Sequence, residues 1–205
     1  MSEILLKFFQ TFTNNGKLIT LIISMFPLVE LKGAIPIGAL YGESLLTTAI
    51  LAYIGSSIIC IPIFFLLIPI FNLLKKIKFV RKIIEKIEAV LKQKAEDFAK
   101  NSQNKAEDVK TKILVWGLFI FTAIPLPLTG VWTGTAIAVF LNLPFKRSFL
   151  PLVLGNLVAG SIITLLTLLF EPYVDIIITC LFAFMIVMLI IFIVKIIKSK
   201  PTNQN

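Results

Sequence analysis

The sequence predicts an all-α integral membrane protein: an inverted repeat of a re-entrant hairpin plus a transmembrane helix, with an extra C-terminal transmembrane helix and a cytoplasmic amphipathic helix. Three observations predict it. Of the 205 residues, 58% are hydrophobic, where an average soluble domain has roughly half. Two Pro- and Gly-interrupted apolar segments lie about 100 residues apart, each followed by an uncharged apolar run. Twelve of the twenty Lys and Arg residues fall between Lys75 and Lys112, and basic segments beside apolar ones mark the cytoplasmic face. The net charge of +9 therefore reports orientation, and no nucleic-acid partner is expected.

Taken in order, residues 1–16 mix polar and apolar side chains. Ser2 is placed to cap a helix in which Ile4, Leu5, Phe8, Phe9 and Phe12 share a face, too short to span and read as interfacial. With Glu3, only Lys7 as a base and no small-residue cleavage site, the segment is not read as a secretory signal.

Residues 17–74 form the first repeat. Pro27, Gly33, Pro36 and Gly38 punctuate its first part, read as a hairpin or as a full span; Leu45 to Leu74 carries no charge and is expected to span, kinked at Pro62 and Pro69. Residues 75–112 alternate in sign while Val80, Ile84, Ile87, Leu91 and Phe98 recur at helical spacing, the pattern of a basic amphipathic connector that lies on headgroups, packs on its own bundle or is solvated. Asn101 to Asn104 is expected to end it.

Residues 113–170 form the second repeat. Ile113 to Phe145 is longer than one span of about 20 residues and shorter than the more than about 40 that two spans and a turn need. A re-entrant hairpin fits that length; a single kinked span with an interfacial extension is the alternative. Ser148 to Phe170 is a span in which Gly155, Asn156 and Gly160 present small residues for helix packing. Residues 171–194 comprise a polar turn, Glu171 to Asp175, and a last span, and residues 195–205 a cytoplasmic tail.

Thr48 to Gly55 and Ser148 to Gly155 occupy matching places in the two halves. If the basic connector is cytoplasmic, Lys146, Arg147 and Lys195 to Lys200 also fall inside, while Glu171 and Asp175 face outward. This gives a multi-pass protein of the cell membrane with a cytoplasmic C-terminus, and the hairpin reading makes the halves inverted. Paired broken segments in inverted halves point to a midplane site of a secondary transporter.

Glu30 and Lys32 are the only formal charges between Leu18 and Gly42, and charges at membrane depth are costly unless paired or hydrated. Two positions apart they would not share a face of a continuous helix; a break near Gly33 and Pro36 either brings them together or leaves Lys32 to meet an anion while Glu30 takes a proton. The plainer reading puts Lys32 at the headgroups and Glu30 on a half-helix N-terminus. In the second segment Thr129, Thr133 and Thr135, with carbonyls freed by Pro125 and Pro127, supply neutral oxygens or else bond back within their own helix, and Gly130 and Gly134 admit close backbone approach. Trp132 is placed to stack on a ligand or to sit at the interface, and Arg147 to meet an anionic group, to pair with Glu30 or to anchor the membrane surface.

Cys60 and Cys180 sit in apolar runs without C-x-x-C spacing and are read as buried small hydrophobes. His is absent, and no Ser/His, Cys/His, metal-ligand or phosphate-loop spacing appears, so neither an enzyme nor a cofactor is expected.

Glu30-Leu-Lys-Gly-Ala-Ile-Pro36 and Pro125-Leu-Pro-Leu-Thr-Gly-Val-Trp-Thr-Gly134 resemble the two signature segments of the prokaryotic small multi-drug export proteins, over about Leu18 to Phe170. That family resembles the DedA membrane proteins, whose architecture pairs re-entrant hairpins in inverted repeats. The family pattern has Gly where this chain has Leu128, and often Arg where it has Lys32. The resemblance implies efflux of small compounds; the DedA likeness implies proton-dependent movement of an anionic lipid carrier phosphate by a flippase or scramblase. A non-transporting scaffold is the third reading. The expected partners are the bilayer, a small-molecule or lipid substrate and, given so few spans, a second copy in a homodimer.

Overall fold

The computed structural model describes residues 11, 13–27, 29–100, 107–126, 128–170 and 174–198. The interfacial helix with its Ser2 cap, the Asn101 to Asn104 stop, Pro127, the start of the Glu171 turn and the end of the tail lie outside the described residues. Among those described, the regular structure is helical throughout: α1 Gly16–Ser24, α2 Glu30–Leu40, α3 Leu45–Ile58, α4 Cys60–Leu74, α5 Lys78–Ala99, α6 Glu107–Ala123, α7 Val131–Phe140, α8 Phe145–Leu169 and α9 Val174–Lys198. The run Leu45–Leu74 and α8 are long and apolar enough to cross a membrane.

Local chemistry explains the boundaries. The Asn15 side chain accepts from Lys17 N at 3.1 Å and Leu18 N at 3.2 Å, opening α1, and Ser44 accepts from Thr47 N to open α3. Pro62 brings no N–H to the Ile58 carbonyl, and the long helix is interrupted at Ile59. At Pro69 the helix continues without interruption.

Gly33 and Pro36 lie inside α2, so the first break is not where those residues led us to expect it. It falls between α1 and α2, ahead of Glu30, which opens α2 at φ 49°. Pro36 instead removes the N–H that would bond the Lys32 carbonyl one turn earlier, without ending the helix. The second break lies between α6 and α7, and α6 reaches back to Glu107, within the stretch expected to be connector.

The halves pack alike. α1 and α2 pack on each other and on α3, while α6 and α7 pack on α8. Each second helix ends in a left-handed residue 100 positions apart, Gly42 at φ 77° and Asn142 at φ 53°, which turns the chain into the following long helix. Gly55 of α3 lies against the Leu21 carbonyl and Ser24 of α1; Gly155 of α8 lies against the Phe119 carbonyl and Thr122 of α6.

Two apolar cores result. Ile19, Ile23, Leu31, Ile35 and Ala52 of the first half take in Ile163 from α8; Leu114, Leu118, Val131, Ile137 and Leu152 of the second take in Cys60 from α4. Where α3 crosses α8, Asn156 Nδ2 donates to Ser56 Oγ at 2.7 Å and Ser57 Oγ at 3.1 Å. The Leu45–Leu74 run and α8 thus each place a residue in the core of the other half.

The connector helix α5 is not simply solvated. Its Val90, Ala95 and Ala99 are buried, and it packs on α7. Glu88 pairs with Lys75 at the end of α4 and with Lys92 at 2.9 Å. Burial alone would push the Glu88 carboxyl up, but the hydrogen bonds and charges of Lys75 and Lys92 outweigh it and hold it below the usual carboxylate range. Cys60 is buried as expected, whereas Cys180 is exposed on α9, whose Ile176, Ile186, Val187 and Ile190 are exposed too.

A methyl at Gly155 would press on the backbone of α6, so Gly155→Ala should cost about 1–3 kcal/mol, measured as thermal unfolding in detergent. Leu154→Ala, on the exposed side of the same helix, should cost about 0.5 kcal/mol or less.

Candidate functional site

The breaks on either side of α2 and α7 free backbone groups that each half satisfies with a side chain of the other. Ahead of α2 the Met25 carbonyl accepts from the Trp132 indole Nε1 at 2.9 Å. Ahead of α7 the Leu126 carbonyl accepts from Lys32 Nζ at 2.7 Å. Residues 32 and 132 are 100 apart and reach opposite breaks.

Glu30 lies between them. Its Oε1 accepts from Trp132 N, in the first turn of α7, at 3.0 Å, so its charge sits where the helix dipole favours an acid. Its Oε2 is 3.6 Å from Lys32 Nζ. Glu30 and Lys32 are each 4% exposed, which places the pair out of solvent; removing one partner alone leaves the other charge stranded, at a cost of about 3–5 kcal/mol. The sequence expectation that they meet is fulfilled by the left-handed Glu30 backbone rather than by a break at Gly33 or Pro36. Glu30 does cap a half-helix N-terminus, but that of the other half.

Gly130, the N-cap of α7, has no room for a side chain: a methyl there would overlap the Glu30 carboxylate. A methyl at Gly134 would press on the Leu152 side chain and lie 3.0 Å from Thr122 Oγ1. Gly33 faces Val29, where a methyl would likewise collide.

A family model described as "Putative small multi-drug export protein" matches residues 30–162. The chain belongs to that family. Neither a curated protein nor a solved structure matches it. The matched span begins at Glu30 and takes in both segments that meet in the site.

The other expected site residues divide. Thr129 Oγ1 donates to the Ile124 and Leu126 carbonyls at 2.9 and 2.7 Å, so it closes its own turn. Thr135 is buried beside Cys60 Sγ at 3.2 Å, and Thr133 and Pro125 are half-buried. Trp132 is engaged by its indole N–H in bracing the opposite break. Arg147 is exposed in the first turn of α8; Glu30 takes Lys32 and Trp132 as partners instead. Pro127 lies outside the described residues.

Lys94 of α5 was missed. Its Nζ donates to the Leu128 carbonyl at 3.1 Å and lies 5.5 Å from the centre of the Phe121 ring. A signal existed: Lys94 falls on the stripe Ile87, Leu91, Phe98, where helical spacing calls for an apolar residue.

Leu128 has φ 66°, the left-handed region in which a bulky residue is strained. Leu128→Gly should therefore leave the fold intact and raise stability by about 1 kcal/mol. Unfolding in detergent at a lower temperature than the parent would contradict this.

Proposed function

We propose that this family member is a secondary transporter of the cell membrane, moving a small substrate through a site between two re-entrant hairpins, with Glu30 as the coupling carboxylate for a proton or cation. The observation that carries the reading is the buried Glu30–Lys32 pair set between two breaks whose carbonyls are braced by side chains of the opposite half. Ionisable residues held at such depth mark ion and substrate pathways, and broken helices at the interface of two repeats are how secondary transporters expose polar backbone to a substrate.

In this reading α1–α2 and α6–α7 are the hairpins, and the halves are an inverted repeat about a pseudo-two-fold axis. Several contacts support it. In an isologous arrangement, residues related by the repeat meet each other or each other's partners. Residue 30 lies against residue 130, residue 56 bonds residue 156, and residues 32 and 132 brace opposite breaks. Gly33, Pro36, Pro125, Gly130 and Gly134 shape the hairpins, Lys32, Trp132 and Thr133 line the site, Thr129 closes the turn ahead of α7, and Arg147 anchors the cytoplasmic face. The basic connector and the C-terminus are cytoplasmic, and a homodimer encloses the pathway.

The mechanism follows from the pair. With Glu30 ionised, its charge is met by Lys32 and the α7 N-terminus, and the two hairpins are held together. Neutralising Glu30 with a proton weakens both contacts, so that the halves can separate on one side. A substrate that replaces Glu30 at Lys32 restores the charge balance and permits closure on the other side.

In proteoliposomes with an imposed pH gradient, the parent should drive either ethidium or carboxyfluorescein across the membrane, and Glu30→Gln should fall to the protein-free rate. The double variant Glu30→Gln/Lys32→Gln removes both charges together, which avoids a stranded lysine, and should be equally inactive while eluting as folded protein. Gradient-driven transport at the parent rate by either variant, or of neither dye by the parent, sinks the assignment.

A further inference from the structure

The charge of the site is not that of the Glu30–Lys32 pair alone. Lys94 reaches the same break from α5, an element outside both helix pairs. Its ammonium bonds the Leu128 carbonyl and that of Lys32 bonds the Leu126 carbonyl, two residues apart and so within about 7 Å along the chain. The Phe121 ring face beneath Lys94 favours a cation at this spot.

Among the described residues the break therefore gathers two ammonium groups and one carboxylate. The N-terminus of α7, which opens here, adds partial positive charge. Lys32 is buried and Lys94 half-buried, so neither charge is screened as a surface lysine is.

We propose that Lys94 and Lys32 form a two-lysine anion site at the break before α7, so that the transported substrate is held by a phosphate or carboxylate group, and that α5 is part of the binding site. The inference rests on the transporter reading for its meaning, but its test does not depend on transport. A phosphate can reach the site on a small soluble molecule or on a lipid headgroup; the chemistry at Lys32 and Lys94 is shared.

Trp132 braces the site, so in a Trp116→Phe background its emission is the reporter. The full chain in neutral detergent is titrated with hexyl phosphate and, separately, with hexyltrimethylammonium. Hexyl phosphate should change the emission saturably, and Lys94→Gln, which keeps a donor for the Leu128 carbonyl but loses the charge, should weaken that binding by about tenfold or more. Lys94→Arg should retain it, as should Lys82→Gln, an exposed change on the same helix. In nanodiscs, a response to phosphatidic acid that phosphatidylcholine does not give identifies a lipid as the source; a response to hexyl phosphate alone identifies a soluble anion.

Equal hexyl phosphate affinity in the parent and in Lys94→Gln overturns the proposal, as does tighter binding of the ammonium probe or no response to either phosphate. Lys94-dependent anion binding without pH-driven transport sustains the anion site and sinks the transporter reading. pH-driven transport without anion binding does the reverse.

Discussion

A backbone carbonyl freed where a helix breaks among apolar side chains must find a donor, because lipid supplies none, and in this protein that donor comes from the other half of the chain. Lys32 serves the Leu126 carbonyl and Trp132 serves the Met25 carbonyl. At Leu126 the local turn contributes as well, through Thr129 Oγ1 at 2.7 Å, but the two bonds that cross between the halves form only when both pairs have docked. The same requirement fixes Glu30, whose carboxylate meets the first turn of α7 only when Gly130 lies against it.

The long helices α3 and α8 set the distance at which this docking occurs. Gly55 and Gly155 let them run against the backbones of α1 and α6, and the Asn156 bonds to Ser56 and Ser57 fix their crossing. Because α8 carries Ile163 into the first core and α4, which follows α3, carries Cys60 into the second, the halves share their packing. A buried ion pair gives little net stability against well-packed apolar groups and is expensive to break. The Glu30–Lys32 pair therefore makes more sense as a device for the site than as a support for the fold.

Much of the organisation was legible because it is written in composition and period. The all-helical class, the two interrupted segments, the 100-residue offset and the uncharged runs of Leu45–Leu74 and residues 148–170 follow from where charges, prolines and glycines fall. The position of the first break was not legible. Gly33 and Pro36 are the conspicuous breakers, but proline at that point costs one hydrogen bond that α2 tolerates, whereas the break ahead of Glu30 depends on a left-handed backbone at an ordinary residue. Nor was the fate of Thr129 or Arg147, since a hydroxyl that bonds its own turn and one that faces a ligand read alike in sequence.

By itself, the sequence determined that charges at Glu30 and Lys32 sit in apolar surroundings and that two weak points lie in matching places, since burial cost and backbone breakers are properties of residue type. Only the tertiary structure decided what those charges meet. Hydrogen bonds from Lys32 to Leu126 and from Trp132 to Met25 span about 100 residues of chain, and the reach of Lys94 to Leu128 depends on how α5 docks. Such partners are chosen by packing distance, which no local period encodes.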